Sequence, residues 1–316
     1  MSQAASNTVS SEVVLEARGL TRRYGRKLAI DGLDLVLRRG EVVGLLGLNG
    51  AGKSTALKML AGALAPDRGT IEVGGFDLFK QPALARSTLG YLPQRAPLHA
   101  DMTVDDYLSL CAGLHGVADR ADAVATVCEC CDLNDVRSRM LGHLSHGYQQ
   151  RVGIAQAIVH RPALVILDEP TNSLDPAQIR QVRDVVFDLC TDSALVLSTH
   201  ILSEVRLLAS RVVILHEGRI VHDGALEGDD QMLWVRFLNE PDANDLATFA
   251  AIKVVDHGAD GRWLIELNGT ELSAFVKHCV ESDWRLLELT PDYDGLEREF
   301  MRLTQPSVPE SAPETI

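Results

Sequence analysis

A chain of 316 residues, 46% hydrophobic and 23% charged, has the composition of an ordinary soluble globular protein and room for two domains. No apolar run in it approaches the ~20 residues that would span a bilayer. The net charge of −14 is uneven, with 7 basic and 19 acidic residues in 226–316 against 23 and 25 in 1–225. Neither part has the basic surplus of a nucleic-acid binder, and the acidic end would repel anionic lipid headgroups.

The first stretch, MSQAASNTVSSE, has no basic region leading into an apolar core, so it does not read as a signal peptide. Residues 1–11 read as a disordered lead-in. EVVLEARGLTRRYG (12–25) predicts a strand and a turn. KLAIDGLDLVLRRGE (27–41) alternates like a half-buried strand pair. VVGLLG (42–47) is a compact apolar run, suited to a strand buried on both faces. KSTALKMLAGAL (53–64) has helical spacing, with Pro66 as its stop. GTIEVGGFDL (69–78) predicts a strand and turn, and TLGYLPQ (88–94) a strand and loop.

Within 103–160, three segments carry apolar residues three and four apart and predict helices. They form a helical insertion spanning about 95–160. Strand and helix then alternate again: ALVILD (163–168), PAQIRQVRDVVFDLC (176–190), ALVLST (194–199), SEVRLLAS (203–210) and a hairpin RVVILHEGRIVHDG (211–224). That rhythm implies a parallel sheet covered on both faces. The composition shifts near GALEGDD, which places a domain boundary at 225/226. Residues 226–304 read as strand, helix, hairpin, helix, strand and a last helix, which suggests a small ferredoxin-like module. Trp234, Trp263 and Trp284 lie in or beside its strands and are assigned to its core. QPSVPESAPETI, from 305 on, is rich in Pro and Ser and reads as a disordered tail.

The six cysteines are Cys111, Cys128, Cys130, Cys131, Cys190 and Cys279. A chain kept in the cytosol is not expected to pair them. CECC (128–131) raises a metal hypothesis, with His143 and His146 nearest in sequence. No paired Cys or His completes a four-ligand set at familiar spacing, so these read as ordinary helix cysteines.

GLNGAGKS (47–54) matches G-x-x-x-x-G-K-[ST] in full, between a predicted strand and a predicted helix. Gly47, Gly50 and Gly52 let the backbone turn tightly and point N–H groups at phosphate oxygens. The helix N-terminus adds partial positive charge. Lys53 would bridge the β- and γ-phosphates and Ser54 would ligate Mg2+. The bland alternative, a Gly-rich turn with an accidental Lys-Ser, ignores the flanking strand and helix. ILDEP (166–170) adds Asp168 at a strand end, able to hold Mg2+ directly or through water. Glu169 follows as the carboxylate that orients a water and takes its proton. Alone, such a pair could merely cap the next helix; beside the loop it implies nucleoside triphosphate hydrolysis.

LSHGYQQR (144–151) ahead of LVILDEP, then NSLDP (172–176) and STH (198–200), resembles the nucleotide-binding subunit of an ABC transporter, over residues ~13–224. The resemblance implies an α/β P-loop NTPase cassette at 12–225, with a mixed-sheet core and a helical subdomain, followed by the small α+β module. It implies ATP and Mg2+ as cofactors, held by Gly47, Asn49, Gly50, Ala51, Gly52, Lys53, Ser54 and Thr55. Tyr24 matches the aromatic that stacks on adenine. Gln94 matches the loop glutamine that touches Mg2+ or the water and senses the membrane subunit. Asp175 matches the acid of the loop that crosses the dimer interface, and His200 the switch histidine at the γ-phosphate. Ser145 and Gly147 of one subunit would cap the γ-phosphate held by Lys53 of another.

The family's commonest signature is LSGGQ, and here positions 146 and 148 are His and Tyr. With YLPQRAPLHADMTVDDYL (91–108), this looks like exporter subunits of the ABC-2 kind, similar to gliding-type and sodium- or drug-export ATPases. The resemblance implies a head-to-tail dimer with itself or a similar subunit. It also implies separate permease chains, docked on the helical insertion after Gln94. The subunit is then expected in the cytoplasm at the inner face of the membrane, touching it only through the permease, with no nucleic-acid partner. The competing readings are an ATP-driven remodeller of envelope proteins and a soluble ABC ATPase.

Overall fold

The computed structural model describes residues 12–225 apart from 173, 190, 191 and 200. Beyond them it describes 232–239, 241, 246, 252–258, 261–267, 272–291, 300 and 302–304. Contacts divide the chain between Ala225 and Leu226 into two compact units.

The first unit opens with β1 (Val13–Tyr24) and β2 (Lys27–Arg38), paired antiparallel. Residues 27–38 are thus one long strand rather than a strand pair, because their partner is β1. Gly32, at φ 68, sits at the irregularity between the Leu20–Leu33 and Arg22–Ile30 pairings. β4 (Arg68–Val73) and β5 (Phe76–Asp77) complete a sheet of order β2-β1-β4-β5.

The second sheet holds five parallel strands: β3 (Val42–Leu46), β6 (Leu89–Leu92), β7 (Leu164–Asp168), β8 (Ala194–Ser198) and β9 (Arg211–His216). β10 (Arg219–Ala225) adds an antiparallel edge, and the order is β10-β9-β3-β8-β7-β6. Every residue of β3, β7 and β8 is buried, as both-face coverage requires. Successive side chains go to opposite faces. Val43, Leu45, Leu164, Ile166 and Val196 join a core with α1 (Lys53–Leu60) and the antiparallel sheet. Val42, Val165, Leu167, Leu195 and Leu197 join a second core. That core is shared with α3 (Val104–Leu114), α4 (Arg120–Cys130), α5 (His146–Ile158) and α6 (Pro176–Leu189). α2 (Pro82–Ser87) and α7 (Leu202–Leu208) are short connectors.

Two helix boundaries differ from the sequence expectation. α1 stops at Leu60, not 64. Gly62 takes the left-handed conformation at φ 68, and the Ala63 N–H bonds back to the Lys58 carbonyl at 2.9 Å. This glycine cap ends the helix ahead of Pro66. At the other boundary, α5 is not a free part of the insertion. Gly90 of β6 lies directly against the Ala157 carbonyl, and a Cβ on Gly153 would stand 2.7 Å from Leu92. The second half of α5 therefore covers the sheet itself. Cys128 and Cys131 are buried in the same core, and burial pushes the Cys128 thiol up, away from the reactive thiolate.

The second unit contains β11 (Met232–Phe237), β12 (Ile252–His257), β13 (Trp263–Leu267), α8 (Leu272–Glu281) and β14 (Leu286–Pro291). The strands are ordered β12-β13-β11-β14, all antiparallel. That order arises when two β-α-β units share one sheet. The helix expected at 242–251 lies outside the described residues except Leu246, which is helical and buried; most of the last helix, 294–303, lies outside them as well. Leu233, Val235, Trp263 and Ile265 pack on Phe275 and Cys279 of α8 and on Trp284. Trp234 departs from the core assignment. It is half-buried on the other face, with the Arg262 guanidinium 5.1 Å from its ring centroid.

Candidate functional site

All five parallel strands end on the same edge of the sheet, and the 47–52 loop, Gln94, Asp168 and Glu169 lie at it. Leu45 pairs with Ser198, and Ser198 with Asp168. The loop 47–52 begins two residues past Leu45. Leu92 pairs with Leu167, so Gln94, exposed on the next loop, continues the row. This is the edge where open α/β sheets bind ligands.

The loop is built for close backbone approach. A Cβ on Gly47 would stand 2.5 Å from the Leu215 carbonyl oxygen, and one on Gly52 would stand 2.6 Å from that of Ala29. Gly50 and Gly52 have φ of 84° and 113°, which side chains strain to adopt. Gly52 is the N-cap of α1, and no side chain caps it. The first N–H groups of a helix have no intrahelical acceptor, so those of Gly52, Lys53, Ser54 and Thr55 suit an anion. Ala51 is buried beneath the loop and Asn49 is exposed on its rim. Lys53 is buried, and its Nζ donates to the Gly47 carbonyl at 2.6 Å. Burial lowers its pKa, and the charges of Glu169 and Asp168 oppose that shift. The ammonium and both carboxylates thus share one electrostatic neighbourhood.

Asp168 is 1% exposed. The Ser198 hydroxyl donates to its Oδ1 at 2.7 Å and accepts from the Glu169 N–H at 2.9 Å. The same N–H reaches the Ser198 carbonyl at 3.2 Å. Glu169 has φ 52, a left-handed conformation uncommon for a residue with a side chain. Ser198 holds this turn, a role the STH pattern, which points to its histidine, does not signal. His200 itself lies outside the described residues.

These residues fit a magnesium–triphosphate. Among the described residues no three His, Cys, Asp or Glu side chains could hold a metal between them. Mg2+ typically takes one or two protein groups and completes its octahedron with phosphates and water. Asp168, Ser54 and Gln94 are the groups available.

The signature turn caps α5. Ser145 is its exposed N-cap residue, φ −63 and ψ 160, and its hydroxyl makes no capping bond. Gly147 is buried directly against the Gln178 side chain. Tyr148, where the commonest signature has Gln, is half-buried, with the Arg151 guanidinium 4.3 Å from its ring centroid. Arg151 in turn donates to Asp132. Gln150 is 3% exposed and donates to the Pro170 carbonyl at 3.1 Å. Asp175 also has a local duty: it accepts from the Gln178 N–H at 2.9 Å, capping α6. The spacing D-x-x-Q carries that signal. Tyr24, at the end of β1, is 49% exposed.

The chain is similar to known proteins. A family model described as ABC transporter matches residues 30–172. The chain is 30% identical over 298 residues to the uncharacterized ABC transporter ATP-binding protein YdbJ of Bacillus subtilis, covering 93% of this chain and 96% of that protein. It is 34% identical over 212 residues to the bacitracin transport ATP-binding protein BcrA of Bacillus licheniformis, covering 66% and 69%. The dimeric ATP-binding cassette MJ0796, in a post-hydrolysis state with ADP and phosphate, superimposes with a TM-score of 0.62 at 22% identity, over 68% of this chain and 99% of that one.

Proposed function

The chain belongs to the ATP-binding proteins of ABC transporters and is an ATP hydrolase, and from that premise we propose that it works as a head-to-tail dimer driving a separate membrane permease, in the direction of export. The observation that carries the reading is the state of Ser145: a solvent-facing hydroxyl at the N-terminus of α5, free of any capping bond. The chain has one phosphate loop and one such turn, so the donors of α5 serve the loop of a second copy.

In that assembly Lys53 turns from the Gly47 carbonyl to phosphate oxygen. The N–H groups of Gly50 and of Gly52 to Thr55 complete the cradle. Tyr24 stacks on the base. Ser145 and Gly147 of the partner approach the γ-phosphate from the far side, as donors placed where charge develops. Asp168, Ser54 and Gln94 would hold Mg2+, which would supply charge neutralisation at the phosphate oxygens. Glu169 orients the attacking water and accepts its proton. Asp175 and His200 complete the interface and the γ-phosphate contacts.

A cavity of about 390 Å3 lined by Arg95, Ala96, Leu98, Leu141 and Gln149 lies between the Gln94 loop and α5. We assign the permease contact to it. No described helix is long and apolar enough to cross a membrane. With a separate permease, the subunit would work from the cytoplasmic face. Export is supported by similarity to the Nod factor export ATP-binding protein I of Burkholderia orbicola, 35% identical over 218 residues.

The test uses Glu169→Gln expressed in its native host, with ATP added before gentle solubilisation. Co-purification of a stoichiometric polytopic membrane protein is the expected result. Ribosomes, nucleic acid or no partner would overturn the transporter reading.

A further inference from the structure

The turn Gly25–Arg26 makes Tyr24 and Lys27 direct cross-strand partners. Such partners share one face of the sheet, with Cβ atoms about 5 Å apart. Tyr24 is the residue matched to the base. Lys27 leans instead over the phosphate loop. Its Nζ is 4.0 Å from the position a Cβ on Gly50 would take. Lys27, Leu28, Asn49, Gly50, His216 and Glu217 line one cavity of about 480 Å3. Neighbouring arginines are differently employed: Arg22 pairs with Asp67 and Arg39 with Glu12. Lys27 forms no ion pair among the described residues, although Glu217 lines the same cavity. An exposed lysine on a strand end usually points its ammonium to water. This one holds it beside a loop whose backbone N–H groups suit an anion.

We propose that Lys27 is a second phosphate-binding cation of the ATP site, reaching the nucleotide's phosphate chain from the β1–β2 hairpin while Tyr24 takes the base. Lys53 is buried and enters from the helix side; Lys27 is exposed and enters from the rim. The hairpin is thereby one recognition unit for an adenine nucleotide, with an aromatic for the base and a cation for the phosphates. Because Lys27 is exposed, its contribution is screened by salt and falls near the range of surface ion pairs, raised by the multiple charge of the phosphate chain.

The experiment compares Lys27→Ala and Lys27→Arg in the full-length protein, in a Glu169→Gln background so that ATP persists during titration. Calorimetric affinities for ATP and ADP are taken at low and high salt, alongside melting temperatures. Lys27→Ala is expected to weaken both nucleotides by about fivefold to tenfold and to flatten the salt dependence. Lys27→Arg should restore affinity to within about twofold, with both melting temperatures unchanged. Affinity in Lys27→Ala within about twofold of the parent would overturn the proposal. So would an equal loss in both variants, which would make Lys27 a packing residue of the hairpin. Failure of the parent protein to bind ATP would instead overturn the assignment of the whole site.

Discussion

Ser198→Ala tests the construction of the site at its most buried joint. The hydroxyl is completely enclosed, donates to Asp168 Oδ1 at 2.7 Å and accepts from the Glu169 N–H at 2.9 Å. The Glu169 N–H keeps a second acceptor, the Ser198 carbonyl at 3.2 Å, so its loss is partial. Asp168 loses a donor to a buried carboxylate, a bond to a charged group worth about 1.5–3 kcal/mol. Taking about 2 kcal/mol, and about 2–4 °C per kcal/mol for a unit of this size, the melting midpoint of the first unit should fall by about 4–8 °C. The freed carboxylate should also raise the Mg2+ concentration needed for half-maximal hydrolysis. Scanning calorimetry and a magnesium titration of the ATPase rate read the two effects. In an Asp168→Asn background the stability effect should shrink, because the two residues share one bond. A midpoint within about 1 °C of wild type, with unchanged magnesium dependence, would refute the reasoning.

Glu169→Gln should keep ATP binding while turnover falls by roughly two to four orders of magnitude, the scale of a lost general base; normal turnover would remove Glu169 from that role. Gly52→Ala forces a Cβ against the Ala29 carbonyl at φ 113. Strain on the order of 1–3 kcal/mol should weaken ATP binding at least tenfold, and unchanged affinity by calorimetry would contradict this. His160 stacks on His115 with ring centroids 3.6 Å apart, and burial first, then His115, lowers its pKa to about 4. The folded state therefore keeps it neutral while the unfolded chain takes a proton below about 6.5. Its stabilising contribution is complete above that pH and is lost as pH falls towards 4, by about one proton. His160→Phe should flatten the stability profile between pH 6.5 and 4, and a superimposable profile would count against the assignment. Gln150→Leu leaves the buried Pro170 carbonyl unpaired, at about 1–3 kcal/mol; single-turnover assays should show slower hydrolysis at unchanged ATP affinity.

The phosphate loop was legible because its function demands residue types that nothing else demands in that order. Glycines must stand at 50 and 52, where φ is positive, and a lysine at the start of α1. The β3, β7 and β8 segments were legible because burial on both faces leaves only apolar residues. What escaped the sequence reading was decided by contacts between distant segments. The end of α1 was set by the left-handed Gly62, while the nearby proline drew the eye. The face on which Trp234 lies was fixed by the register of β11 against β13, and alternation alone assigns no side to the core. Ser198 reads as one more small residue in ALVLST until the pairing of β7 with β8 sets it opposite Asp168.

The same reason explains why half of α5 could be read and half could not. Ser145 and Gly147 sit in a recognisable turn. Gln149 and Gln150 look like two interchangeable polar residues, and the structure gives them different work. Gln149 donates to the Leu141 carbonyl within the helical subdomain; Gln150 crosses to the Pro170 carbonyl, next to Glu169. Gly147 meanwhile packs on Gln178, whose N–H is capped by Asp175. One helix therefore clasps the segment 168–178, which carries the residues matched to metal binding, proton acceptance and the dimer contact, and presents Ser145 at its own end. In a head-to-tail dimer that end serves the partner's ATP. A displacement of Glu169 during hydrolysis would then load α5 and move the donors that cap the opposite site. On this argument Gln150→Leu should lower the ATP cooperativity of the dimer as well as its turnover. A Hill coefficient equal to that of wild type would show that the two sites communicate by another route.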